Sequence, residues 1–552
     1  MPQARRKTPF SGKAKKQQLQ QKKQNKTLLL SSTGGTTGDY DVTAMNYQPR
    51  SRGRGDVNRY ALKFYRETDE ELKLKKEEAL KALNPVSEEA MEVDVSAMFP
   101  SELSFPKRPP WDFSMTAAQL DAQEHKYFTE YVQALQSSPH WQDMSYWELN
   151  LETWRQLWRV LEMCDIALLV VDVRYAGMMF PPSLYEYVVV DQKKDMILVL
   201  NKIDLVPAAV VAAWKQYLTD RCPGLRVVYL TSCPGYNLAH SSGDQGLVVR
   251  RRKGKQRMCV EGATKILEAC KDIVRGGVDL SSWEKKIKEE SQVEFDEDEA
   301  TEVGETILEK ADTTFYQHEK YKNGILTIGC VGQPNVGKSS LLNAIMGKKV
   351  VSVSKTPGHT KHFQTIFLTP QVRLCDCPGL VFPSKVPRPI QILMGSYPIA
   401  QLREPYTTIR YIAERINLPK LLKIDHPEND DTWSPRDICD GWAKKRGYLT
   451  AKAARLDTYR AANSLLRMAL DGKICLWLRP PGFTANRVKF ESCAEIKDIK
   501  WVQALKSTKD DVVISSDSDE ESDEEESDED SEENGEELAA MANKFAALVG
   551  DD

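Results

Sequence analysis

Fully apolar runs, amphipathic stretches and charged tracts alternate along this chain, and their order predicts its folded elements. Residues Ile166 to Val171 and Met196 to Leu200 are apolar at successive positions, the pattern of strands buried on both faces of a sheet. A shorter run, Arg226 to Leu230, follows, and helical stretches near 183–194 and 207–220 separate the three. Ile325 to Val331 is a further strand, after which Leu341, Leu342 and Ile345 share one helical face until Gly347 supplies a stop. Strands alternating with helices predict a doubly wound, mostly parallel α/β sheet. Upstream, Ser145 and Glu148 are spaced as a capping box, and Leu151, Trp154, Trp158 and Leu161 recur at helical spacing, which makes the tryptophans core-facing. A helix near 260–275 carries Ile266, Cys270 and Ile273 on one face. Asp457 caps another, whose face includes Tyr459, Ala462, Leu466 and Leu470 before Gly472 ends it.

Between these elements the pattern weakens. Residues 1–58 form a basic tail too poor in apolar surface to fold, and 59–144 a helical and irregular region with Pro-rich connectors. The sheet-forming region is 145–385, with charged insertions near 237–258 and 284–312, the second read as a linker. A Pro-punctuated helical segment spans 386–505, and an acidic tail closes the chain at 506–552. At 552 residues there is room for two or three folded units. The formal net charge of −4 conceals opposed ends. Arg5, Arg6, Lys7, Lys13, Lys15, Lys16, Lys22, Lys23 and Lys26 precede any acid, whereas Asp517 to Glu537 is a serine-interrupted acidic block. The basic start suits a nuclear or nucleolar address, an RNA-phosphate contact or a solvated tail. No apolar run approaches the roughly 18 residues that span a bilayer, and 11 scattered cysteines suit reduced thiols. The expectation is a soluble, intracellular chain without a membrane partner.

Candidate chemistry centres on Gly332-Gln333-Pro334-Asn335-Val336-Gly337-Lys338-Ser339, which fits G-x-x-x-x-G-K-[ST] between a strand and a helix. In such a loop glycines let backbone N–H groups close around phosphates, Lys338 reaches the β/γ oxygens and the Ser339 hydroxyl ligates Mg²⁺. Val336, Gly337 and Ser340 complete the cradle. His359 and His362 with Cys375 and Cys377 invite a zinc reading, but the cysteine spacing is too tight for the usual ligand pattern.

Asn201-Lys202-Ile203-Asp204 ends a predicted strand and resembles the guanine-reading motif of GTPases. There the Asp204 carboxylate would accept from the guanine N1–H and 2-amino group, Asn201 would hold the loop and the Lys202 stem would cover the base. Thr231-Ser232-Cys233 resembles the third base contact, with the Cys233 N–H meeting O6. Asp376-Cys377-Pro378-Gly379 resembles D-x-x-G, with Asp376 binding Mg²⁺ through water and the Gly379 N–H meeting the γ-phosphate. Between the phosphate loop and D-x-x-G, Thr360 is the expected switch threonine on Mg²⁺, with Thr356 the alternative.

Ordinary GTPases run phosphate loop, switch threonine, D-x-x-G, then N-K-x-D; here N-K-x-D comes first. The chain therefore resembles the circularly permuted GTPases that include bacterial and eukaryotic ribosome-assembly factors, over about residues 145–480. Asp172-x-Arg174 after the first strand adds to the likeness. The resemblance implies a monomeric GTP-hydrolysing switch acting on pre-ribosomal particles or rRNA in the nucleus or nucleolus, with shuttling to the cytoplasm left open. It also implies slow turnover, because Leu380 stands where many GTPases carry a water-orienting glutamine. K⁺ stimulation follows in the same way, because Asn335 matches an asparagine that helps bind that cation. Lys338, Thr360 and Gly379 are the expected catalytic contacts. Lys444, Lys445, Arg446, Lys452 and Arg455 are expected to face RNA or a ribosomal partner. Two rivals remain: a signalling GTPase whose protein partner is held by the acidic tail, and a non-hydrolysing, GTP-sensing scaffold.

Overall fold

In the computed structural model the described residues are 68–232, 237–238, 249–250, 255–292, 318–347, 350–351, 353, 363–428, 430–450 and 455–503. Charged helix α1 (Asp69–Glu78) and amphipathic α2 (Ala117–Gln136) open the fold, each started by a threonine capping box. Helix α3 (Leu151–Met163) leads into strands β1 (Ile166–Asp172) and β2 (Asp195–Asn201), then α4 (Ala208–Arg221) and β3 (Arg226–Tyr229). Helices α5 (Lys255–Val274) and α6 (Ser281–Gln292) precede β4 (Leu326–Val331) and α7 (Lys338–Met346). Strands β5 (Gln364–Thr369) and β6 (Val372–Asp376) close the sheet. The larger remaining helices are α8 (Arg388–Leu393), α9 (Tyr406–Ala413), α10 (Pro435–Arg446), α11 (Thr458–Leu470) and α12 (Ile496–Val502).

The six strands lie in the order β3-β2-β1-β4-β6-β5, all parallel except the β5–β6 pair. This is the expected doubly wound α/β sheet. Strand β1 is buried along its whole length, as a strand covered by helices on both faces must be. It pairs with β2 on one side and β4 on the other, so the two sequence-distant halves of the sheet meet at its centre. Asp165, just before β1, secures that seam. Its carboxylate accepts from the backbone N–H groups of Tyr321 (3.0 Å) and Thr327 (2.8 Å), and its own N–H donates to the Thr327 carbonyl (2.8 Å).

Three expectations change. The Ser145–Glu148 capping box does not form. The helix starts at Leu151 with Asn150 as its cap, accepting from Glu152 N–H. Residues 145–150 instead form a strap beside the segment after β6: Ser145 N–H and Oγ donate to the Ser384 carbonyl, and Glu148 N–H to the Val381 carbonyl. The charged stretch from 284, read as a linker, begins inside α6, which buries Trp283 and Ile287 four positions apart; 293–312 lie outside the described residues. Finally, 100–110 is more than a connector. Phe105 packs against Trp154 and Phe382, and Arg108 bridges Glu124 and Glu162.

The tryptophans of α3 are core residues, with Trp154 and Trp158 almost wholly buried. On α11, Ala461, Ala462, Leu465 and Leu466 are buried, whereas Tyr459 is 43% exposed. The thiols of Cys164, Cys330, Cys375 and Cys377 are unoxidised and buried. Among the described residues no helix is long and apolar enough to cross a membrane.

Removing the carboxylate that joins the halves leaves backbone donors inside the protein without their acceptor. Asp165→Ala is expected to lower unfolding free energy by about 2–3 kcal/mol, measured by urea denaturation. An unchanged midpoint would show that the seam does not depend on Asp165.

Candidate functional site

Parallel strands of an open sheet place their following loops along one edge, where ligands gather. Asp172 ends β1, Asn201 ends β2, Thr231 follows β3, Gly332 follows β4 and Asp376 ends β6. Register brings Asp172 opposite Asn201, and Cys330 opposite Asp376. The folded chain thus assembles along one edge residues that the sequence scatters from Asp172 to Asp376.

The phosphate loop leaves β4, turns through a left-handed Asn335 (φ 58°), and enters α7 at Gly337 (φ 98°). A Cβ on Gly337 would lie 2.4 Å from the Asn201 amide nitrogen, so no larger residue fits there. Lys338 starts the helix, is buried, and donates from Nζ to the carbonyls of Gly332 (3.1 Å) and Gln333 (2.7 Å). Burial holds its pKa below the usual lysine value, against the opposing pull of Asp376. Ser340 sits half-buried in the same first turn. Ser339 Oγ donates to Asp376 Oδ2 (2.9 Å). Asp376 Oδ1 is buried with no partner, and burial pushes the carboxyl up to about 6 despite Lys338 and the Ser339 hydrogen bond. A hard cation beside Ser339 would give this orphaned carboxylate the partner it lacks, so the donor set fits Mg²⁺. Gly379 is packed against the loop, where a Cβ would come 2.7 Å from Pro334 Cα. Leu380 N–H donates to the Gly332 carbonyl (3.2 Å), and the Leu380 side chain is fully buried.

On the other half, the buried Asn201 amide is used completely. Nδ2 donates to the Val336 carbonyl (2.7 Å) and Ser232 Oγ (2.9 Å), while Oδ1 accepts from the N–H groups of Lys202 (2.8 Å) and Ser232 (3.0 Å). Lys202 takes a left-handed conformation (φ 59°). Its Nζ reaches the Asn335 carbonyl (2.7 Å) and pairs with Asp172 (2.9 Å). Thr231 Oγ1 donates to Asp204 Oδ1 (3.1 Å), which orients that carboxylate. Asn201, Lys202, Asp204, Ser232, Gly332, Asn335, Val336, Gly337, Lys338, Ser339, Asp376 and Gly379 are therefore brought together. Cys233, Thr356, Thr360, His359, His362 and Lys452 lie outside the described residues.

Sequence reasoning missed the links from this site into 386–503. Gln333 Oε1 accepts from Ser396 Oγ (2.8 Å), and Asn335 Nδ2 donates to the Gly395 carbonyl (3.0 Å). Asp172 holds the Arg174 guanidinium (Nη2–Oδ2 2.8 Å), whose Nη1 donates to the Ala469 carbonyl at the end of α11 (2.9 Å). Burial alone would raise the Asp172 pKa, but Arg174 and Lys202 outweigh it and hold the carboxyl well below the usual range. Cys475 Sγ donates to the Leu205 carbonyl (2.8 Å), and Gln503 Nε2 to those of Ile203 and Val206 (2.7 and 2.9 Å). Only Asp172-x-Arg174, at a strand end, carried a sequence signal. In the basic cluster, Lys445 caps the Leu422 and Lys423 carbonyls and Arg446 lies over Trp442, so both make intramolecular contacts.

A family model described as "50S ribosome-binding GTPase" matches residues 327–414. "Guanine nucleotide-binding protein-like 1" from Rattus norvegicus is 44% identical over 539 residues, covering 90% of this chain and 88% of the relative. The Homo sapiens protein of that name is also 44% identical, over 542 residues, covering 90% and 89%. "GTPase LSG1-2" from Arabidopsis thaliana is 30% identical over 441 residues, covering 77% and 70%. With its permuted motif order, its parallel sheet and these relatives, the chain belongs to the guanine nucleotide-binding protein-like 1 family of circularly permuted GTPases.

Proposed function

We propose that this chain is a GTP-switched ribosome-assembly factor whose 386–503 segment reads nucleotide state directly from the site. The carrying observation is the double clasp of Gln333 to Ser396 and Asn335 to Gly395. The ribosomal partner, pre-ribosomal particle or rRNA, is supported by the ribosome-binding description of the matching family model. A nucleolar or nuclear site of action is part of the same reading, as is a monomeric chain.

In this reading the first turn of α7 and the loop N–H groups hold the phosphates, and Lys338 leaves its carbonyl partners for the β/γ oxygens. Ser339 and Asp376, with Thr360, would hold Mg²⁺, and that ion when bound would neutralise charge developing on the transferred phosphoryl group. The Gly379 N–H meets the γ-phosphate. Asn201 and Ser232 brace the base loop, Lys202 covers the base, Cys233 N–H meets O6, and Asp204, oriented by Thr231, accepts from the guanine edge. Asn335 would be the side chain that helps hold K⁺. Contacts made only with GTP would then change the pull on Gly395 and Ser396, the start of the helical readout.

Burial of Leu380 favours one second reading, a GTP-sensing scaffold without turnover, because no side chain at that position can orient water. Hydrolysis separates the two. Steady turnover that rises with pre-ribosomal particles, and drops about 10²–10³-fold in Lys338→Ala, supports the switch; tight GTP binding with no turnover under any condition leaves the scaffold. Turnover is expected to be several-fold faster in K⁺ than in Na⁺ buffer, and equal rates would remove Asn335 from cation binding. Asp204→Ala should weaken GTP about a hundredfold, the loss of a charge-assisted pair worth about 3 kcal/mol, and leave ATP binding unchanged by calorimetry. A parallel loss for both nucleotides would count against base reading by Asp204.

A further inference from the structure

Three helices begin around one surface cavity that shares no lining residue with the nucleotide site. The first turns of α9, α10 and α11 contribute Tyr406, Arg436 and Tyr459, Arg403 precedes α9, and Lys76 and Ala79 come from the end of α1. The cavity is about 300 Å³, and three of its lining residues are cations. Helix N-termini carry partial positive charge, and three of them meet here against the one C-terminus of α1, which carries the opposite sign. Two of the three cations stand beside acids. Asp69 pairs with Arg403 (2.8 Å) from a side chain that is 91% exposed, and Asp440 stands 3.9 Å from Arg436. Glu404 is buried and spends its carboxylate on Tyr406 N–H, Thr407 N–H and the Thr407 hydroxyl. The phenol hydroxyls also have internal partners: Tyr459 donates to the Leu402 carbonyl (2.7 Å), and Tyr406 shares a hydrogen bond with Thr458 (3.2 Å). What an occupant meets is therefore the ring carbon of Tyr459, 43% exposed, beside cations, with the buried Tyr406 ring behind it.

We infer that this cavity binds the backbone and an adjacent base of single-stranded RNA, with Arg403, Arg436 and Lys76 on phosphates and the exposed Tyr459 ring against the base. Cations flanking aromatic surface are what single-stranded nucleic acid uses, whereas an acidic peptide has no call on the rings. The inference rests on the assembly reading for its partner and moves the expected RNA contact away from 444–455. Tyr459 and Ala469 stand at opposite ends of α11, about 15 Å apart along its axis at the helical rise. RNA at one end of that helix thus faces the Asp172–Arg174 pair at the other.

The test is fluorescence anisotropy of a labelled oligouridine with the full chain across a salt series. Arg403→Glu combined with Arg436→Glu should weaken binding about tenfold or more and flatten the log–log salt slope by about 1.4, the share of two phosphates on a single strand. Tyr459→Ala should weaken binding without changing the slope, and Tyr459→Phe should restore it. GTP affinity, unchanged in each variant, reports folding; should the double variant lose it, Lys76→Glu on the exposed face of α1 carries the charge test. Affinity and slope equal to the parent chain would overturn the assignment and leave the basic start as the RNA contact. Polyglutamate that competes with equal strength, and with the same sensitivity to the charge reversals, would overturn it in favour of an acidic protein. Co-sedimentation separates the two readings: a parent chain and variants that join pre-ribosomal particles equally well sink the cavity alone, and a parent chain that joins none sinks the assembly role.

Discussion

The Asn201 amide is the bond on which the site depends. It joins the 201–204 loop to a phosphate loop 135 positions later in the chain, and every hydrogen-bonding direction it has is taken by Val336, Ser232 and Lys202. An amide so fully used in the interior cannot shift without leaving several buried groups unpaired. The geometry of Gly337 follows from it, since the loop runs so close to Asn201 that no side chain fits between them. Permutation thus leaves the two groups of motifs far apart in sequence, and folding still brings them to one sheet edge.

Around that amide lies a buried ionic cluster with more cation than anion: Asp172 serves both Arg174 and Lys202. Such a cluster is a poor source of net stability, because desolvation consumes most of the attraction. Its value is positional. Lys202 is fixed above the Asn335 carbonyl, and Arg174 extends the same charge to the Ala469 carbonyl of α11. The 201–206 loop is accordingly held by the helical segment, through Leu205, Cys475 and Gln503 as well.

Where D-x-x-G ends, the chain runs straight on into that segment. The 145–150 strap binds residues 381–384, and Gln391 closes a pair of hydrogen bonds on Tyr146, so the exit path is gripped before it reaches Gly395. Buried Leu380 belongs to this path and not to the solvent side of the site. Asp376 and Gly379 are therefore joined to the helical segment by a short, well-packed stretch.

Sequence alone determined the parallel sheet, the phosphate loop, D-x-x-G, N-K-x-D and their permuted order. Each of these is written in contiguous residues whose spacing a strand or loop fixes locally. It misjudged Ser145 and Glu148, whose partners Ser384 and Val381 belong to a distant segment. It also misjudged the start of α6, where Trp283 and Ile287 are outnumbered by charges on the solvent face. Only tertiary structure decided that Asn335 meets Gly395, 60 positions away, and that Arg174 meets Ala469, 295 positions away. The cavity between α1 and the starts of α9, α10 and α11 is of the same kind. Such contacts join side chains to backbone carbonyls or gather residues from separate helices. A carbonyl has no residue identity, and a gathering of helix ends leaves no periodicity, so neither can be read until the chain is folded.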